Sequence, residues 1–220
     1  MADFSGYFPK LLRNEGNYCH HPTDPGGETY RGIARVYNRN WAGWPIVDAV
    51  KKQLGLTSPV PKASWGTINK ALGSNAGLGE NIKQFYQALY WNPLRLNEVE
   101  SQSVAEQLAD HGVNAGISRP AKMLQFLLST EYGAAIQVDG KIGPLTIEAL
   151  NSTLPPLFYL SLVEMRRAFY YYRAGCPLTS TPNMAAWRDF LHNKLNVRPD
   201  GRMKQYLASW LSRTQVPFVS

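Results

Sequence analysis

The chain has 220 residues, 44% of them apolar and 12% aromatic, enough to bury a sizeable core as one domain or two small ones without disulfide or metal staples. Its 23 basic residues against 16 acidic ones leave a formal charge of +7, which favours a polyanionic partner. The lysines and arginines are scattered, however, and never run beyond two together, so the basic arm of a nucleic-acid binder is missing. No stretch approaches the ~18 consecutive apolar residues of a membrane span, and Met1 to Ser5 carry neither a basic start nor a small-residue cleavage site. The expectation is a protein made in the cytoplasm without a signal peptide and without stable membrane insertion.

From the N-terminus, Phe4, Tyr7, Phe8, Leu11 and Leu12 recur at helical spacing behind Asp3, an N-cap residue type, and Gly16 offers a stop. Glu15 is thereby placed where a helix ends and a loop begins. Between Tyr18 and Gly32 the composition turns to His, Pro, Thr, Asp and Gly, with Asp24-Pro25-Gly26-Gly27 as a turn and Glu28-Thr29-Tyr30 as a short strand. A small hairpin facing the end of the first helix is expected. Helical period returns at Ile46, Val47, Val50 and Leu54, and again at Ile82, Phe85, Tyr86, Leu89 and Tyr90, around a Gly, Pro and Ser-rich stretch from Gly55 to Gly66. Further helices are expected at 103–108, 121–128, 145–150, 156–173 and 183–195, with breaks at Gly112, Gly116, Gly140, Gly143 and Gly175.

Glycoside hydrolysis needs a carboxylic acid near the leaving oxygen and a second polar group to steer water or stabilise positive charge. Glu15, Asp24 and Thr29 are separated by eight and four residues, with a double glycine between Asp24 and Thr29 that lets the chain fold back over the helix end. Such an arrangement brings all three around one sugar. Carboxyl groups ~6.5 to 9.5 Å apart leave room for a water and give inversion, whereas ~5 Å gives retention; inversion is the expectation.

Glu15-Gly16-Asn17-Tyr18, Pro22, Asp24, Gly26-Gly27, Thr29 and Gly32-Ile33 resemble the signature of glycoside hydrolase family 108, and the spacing also resembles the phage-type lysozymes. Asn17 stands where a second glycine is more usual, a position at which Asn tolerates positive φ. Tyr90-Trp91-Asn92-Pro93-Leu94 and Asp110 to Gly116 resemble segments lining the catalytic lobe of such enzymes, and Val138-Asp139-Gly140-Lys141-Ile142-Gly143-Pro144 resembles an appended peptidoglycan-binding module.

The resemblance implies a mainly α protein. Residues 1–117 would form a lysozyme-like catalytic lobe with a small β-hairpin, and residues 118–220 a helical peptidoglycan-binding-like region packed on it. It implies an N-acetylmuramidase cleaving the β-1,4 bond between N-acetylmuramic acid and N-acetylglucosamine. Glu15 would be the general acid, Asp24 and Thr29 its catalytic partners, and Tyr18, Gly27, Tyr30, Trp91 and Asn114 the substrate contacts. Tyr18 and Phe8 are the expected apolar neighbours of Glu15.

The implied partners are peptidoglycan glycan strands, with a holin-like pore for export, in an endolysin or a secretion activator, and a monomer. The site of action is the cell wall or periplasm. Neither a cofactor nor a metal is expected, although His20 and His21 follow Cys19. Whether Cys19 and Cys176 meet is left open. A non-catalytic wall-binding or secretion-assisting protein is the rival reading, chitin the rival substrate.

Overall fold

The computed structural model describes residues 1–21 and 26–219. Among these, ten α-helices and one small antiparallel sheet form two compact units, Phe4–Leu89 and Met1–Asp3 with Tyr90–Ser220. The mainly α class with one small β element is what the sequence pattern predicts.

The first unit opens with α1 (Phe4–Asn14), which buries Phe4, Tyr7 and Leu11 on one face, the i, i+3, i+7 stripe of an amphipathic helix. Three short strands follow, β1 (Cys19–His20), β2 (Glu28–Tyr30) and β3 (Ile33–Ala34), in the order β1-β2-β3. Cys19 pairs with Thr29, and Thr29 in turn with Ala34. The expected hairpin thus gains a third strand. Between β2 and β3 only Arg31 and Gly32 intervene, with φ of 48° and 75°, the two left-handed positions of the tight turn that best matches strand twist. Gly16 and Asn17 are not among the positive-φ residues, so the departure at Asn17 places no strain on the chain.

Helices α2 (Trp44–Gln53), α3 (Trp65–Gly73) and α4 (Ala76–Tyr86) complete this unit. The sequence pattern did not set α3 apart, because it buries only Ile68 and Leu72 and carries glycines at both ends. Asn75 caps α4 by accepting from the Leu78 amide at 2.9 Å, a side-chain oxygen on an otherwise orphan N–H.

In the second unit α5 (Gln102–Ala115) is central, buried along every residue from Ser103 to Gly112. Gly112, expected as a break, lies inside the helix. A Cβ there would meet Ile117 at 3.5 Å and Leu94 at 3.7 Å, ordinary contact distances, and the helix ends instead at Gly116, φ 83°. Around α5 pack α6 (Ser118–Glu131) and α8 (Pro155–Arg173), with α7 (Pro144–Asn151) against α6 and α9 (Met184–Asp189) and α10 (Lys204–Ser212) against α8.

Two buried polar residues of α5, Gln107 and Asp110, meet arginines. Arg166 of α8 donates to Asp110 at 2.8 Å, to Gln107 and to the Tyr170 hydroxyl at 3.1 Å, and Arg213 reaches the other Asp110 oxygen at 3.2 Å. Cys19 and Cys176 are free thiols, and no described helix is long and apolar enough to cross a membrane.

Candidate active site

Glu15 follows the last residue of α1, its amide donating to the Leu11 carbonyl at 3.0 Å. The half-buried side chain lies against the β2–β3 turn, where a Cβ on Gly32 would fall 2.3 Å from Glu15 Oε2 and 2.5 Å from the Tyr86 hydroxyl. Glycine is therefore required twice over, by φ and by space. Two contacts hold the turn in place. Tyr86, at the end of α4, donates its hydroxyl to the Arg31 carbonyl at 2.7 Å. The Arg31 guanidinium reaches the Leu12 carbonyl of α1 at 3.4 Å. The carboxyl, the tyrosine hydroxyl and the turn backbone thus converge on one point at the helix end.

The other expected residues divide. In β2 the pleat turns Glu28 and Tyr30 inward and leaves Thr29 on the opposite, half-exposed face, its hydroxyl 3.5 Å from the Gly27 carbonyl. Gly27 takes φ 62° at the entry to the strand. Asp24 lies outside the described residues. Tyr18 and Tyr30 are each only 2% exposed, so they brace the site rather than offer a face to a sugar. The Tyr18 hydroxyl donates to Glu28 at 2.7 Å. Gly32 and the Tyr86 hydroxyl are near the Glu15 carboxyl.

Trp91 and Asn114 belong to the second unit. Trp91 is wholly buried, with its indole N–H donating to Asn97 at 2.6 Å, which removes it as a stacking surface: its apolar area was claimed by the core.

Sequence reasoning missed the charged cluster beneath the sheet. Glu28, 5% exposed, is met by Lys51 at 2.7 Å and Arg35 at 3.0 Å, and Asp48 by the same two cations at 2.8 and 2.9 Å. Burial, then the hydrogen bond to Glu28, push the Tyr18 hydroxyl far above its ordinary range, so it stays a neutral donor. The signal was present in the alternation, since Glu28 shares the inward face of β2 with Tyr30.

A cavity of about 710 Å³ opens beside this cluster, lined among others by Gly27, Glu28, Arg35, Trp41 and Trp44. Glu15 does not line it, and both its carboxylates are held by Lys51 and Arg35. A carboxylate bound by two cations is a poor proton donor. Among the described residues no group of three or more His, Cys, Asp or Glu side chains could hold a metal ion.

Residues 8–116 match the family Glycosyl hydrolase 108, and residues 119–215 match the Predicted Peptidoglycan domain. The chain belongs to glycosyl hydrolase family 108. As a family 108 glycoside hydrolase joined to a peptidoglycan domain, it is a peptidoglycan hydrolase acting at the cell wall. The family match ends after α5, whereas the compact units divide before it, at Leu89 and Tyr90. The match to family 108 therefore takes in the central helix of the second unit. Nine chains of solved structures are similar to this one. One, described as the structure of Brucella abortus SagA, is 20% identical, with 97% of this chain and 96% of that one covered and a TM-score of 0.47. No curated protein matches the chain.

Proposed function

We propose that this family 108 protein is an N-acetylmuramidase, cleaving the β-1,4 bond between N-acetylmuramic acid and N-acetylglucosamine, with Glu15 as the general acid. The observation that carries the reading is the half-buried Glu15 carboxyl at the end of α1, packed against a glycine turn that admits no side chain, beside the Tyr86 hydroxyl. General acid catalysis requires a proton donor held at a fixed point against the leaving oxygen. A helix end, a two-residue turn and two hydrogen bonds to that turn supply such fixity.

In this reading Asp24 and Thr29 steer the attacking water from the hairpin, and Gly27 lets the sugar approach the backbone. Tyr18 and Tyr30 hold β2 in register from below. Asn114, which lines a cavity of the second unit, contacts the substrate there. The reaction inverts, so the first-formed product from the β-linked strand is the α-anomer. The protein works as a monomer, in a lysis or secretion setting where a membrane pore gives it access to the wall.

Reducing-end release from purified peptidoglycan tests the acid. Glu15→Gln keeps shape and loses the proton, and turnover should fall by about 10² to 10⁴. Undiminished turnover would remove Glu15 from the chemistry, and no release by the parent protein would favour a non-catalytic wall binder.

A further inference from the structure

The second unit carries a cavity of about 350 Å³, within the usual ~300 to 1,000 Å³ of small-ligand sites. It lies at the C-terminal end of α5, with α6, α8 and the 196–198 segment around it. Arg119, Arg173 and Arg198 line it together with the rings of Phe169, Tyr170 and Trp210, and no carboxylate is among its lining residues.

The three guanidiniums are held by neutral acceptors. Arg119 donates to the Ala115 carbonyl at 2.5 Å, Arg173 to the Arg198 carbonyl at 2.8 Å, and Arg198 to the His192 carbonyl at 2.7 Å. Among the described residues none of the three forms an ion pair. Asp200 is clamped by Arg202 through both oxygens, which holds its carboxyl low, with Arg173 the smallest contributor. Capping a helix end uses one N–H of a guanidinium that carries five. Arg119 in addition keeps a buried Nε without a hydrogen-bond partner, while its guanidinium lies 5.8 Å from the centre of the Phe169 ring.

Fixed, un-neutralised guanidiniums are built to receive a planar anion with two oxygens. The wall opposite is aromatic and rigid. Its accessible face is the half-buried Trp210, which stacks at 5.5 Å on the fully buried Tyr170, whose hydroxyl takes a hydrogen bond from Arg166. That surface suits small alkyl groups beside the anion rather than a bare, fully hydrated ion.

We propose that this cavity binds the C-terminal carboxylate of a peptidoglycan stem peptide, with the methyl groups of its terminal alanines against the aromatic wall. The proposal rests on the wall-acting reading above and adds a peptide site to it. It makes the second unit a reader of peptides, separate from the glycan chemistry assigned to Glu15.

Titration calorimetry on the full chain tests it, with the free pentapeptide L-Ala-γ-D-Glu-diaminopimelyl-D-Ala-D-Ala, its C-terminal carboxamide, and inorganic phosphate as competitor. The free acid should bind, the carboxamide at least ten-fold more weakly, and phosphate at equal concentration should not displace the acid. Arg198→Gln, at an exposed position that spares the core, and Arg119→Gln should each weaken binding ten-fold or more. Equal affinity for acid and amide, displacement by phosphate, binding unchanged in both variants, or no binding would each overturn the proposal. The peptide contains no glycan, so its failure to bind while reducing ends are still released sinks this inference alone. Binding without release sinks only the muramidase reading.

Discussion

Replacing Gly32 by alanine tests whether the turn sets the position of Glu15. The new Cβ would fall 2.3 Å from the carboxylate oxygen and 2.5 Å from the Tyr86 hydroxyl, at a residue with φ 75°. Both oxygens must retreat by about 1 Å to reach ordinary contact, and a misplacement of that size costs about 10²-fold in rate. The left-handed backbone costs an alanine about 1 kcal/mol, and losing the hydrogen bond from Tyr86 to the Arg31 carbonyl costs about 1 kcal/mol more. Together they lower the melting temperature by about 4 to 8 °C. Gly16 is the control, since it also adjoins Glu15 in sequence, but a Cβ there meets nothing within 4 Å. Initial rates of reducing-end release and thermal melts should show Gly32→Ala slow and less stable, and Gly16→Ala close to the parent. Parental turnover in Gly32→Ala, or an equal loss in Gly16→Ala, would refute the positioning argument.

Two further outcomes follow from buried charge. Lys51→Met leaves Glu28 with Arg35 and Tyr18 but without its closest cation, which should cost about 3 kcal/mol in urea unfolding; a loss under about 1 kcal/mol would mean that water already screens the cluster. His111 is fully buried, both ring nitrogens lack partners, and burial first, then Arg166 and Arg119, hold its pKa well below the ordinary value. The unfolded chain then binds a proton below about pH 6.5 that the folded chain refuses, so stability is lost as the pH falls below that value. His111→Leu should lack this component. Parallel losses in parent and variant between pH 7.5 and 5.5 would contradict it.

The elements that were legible from sequence are those whose side chains repeat with a clear period, α1 and α8 above all, and the hairpin announced by its glycines and β2. Gly32 was visible as part of a motif, but its reason was not, because the groups that crowd it come from α1 and from α4, 54 residues further on. Tyr86 read as one more apolar position in a helix; only its hydroxyl, aimed at Arg31, distinguishes it. The alternation of β2 turns Glu28 inward, but Lys51 and Arg35, which make its burial tolerable, lie outside that local pattern. Trp91 shows the opposite error, where a residue type suited to sugar stacking is consumed by the core. Helix α3 escaped because two buried residues in nine leave too little periodicity. The arginines around the second cavity are dispersed over 80 residues of sequence, so no run of charge announced them.

The most direct test of the account is the chemical identity of the new reducing end. Peptidoglycan digested by the parent protein, reduced with borohydride and analysed by mass spectrometry should yield fragments ending in reduced N-acetylmuramic acid, and Glu15→Gln should yield none above background. Fragments ending in reduced N-acetylglucosamine, or muramic acid ends formed by Glu15→Gln at the parental rate, would contradict it.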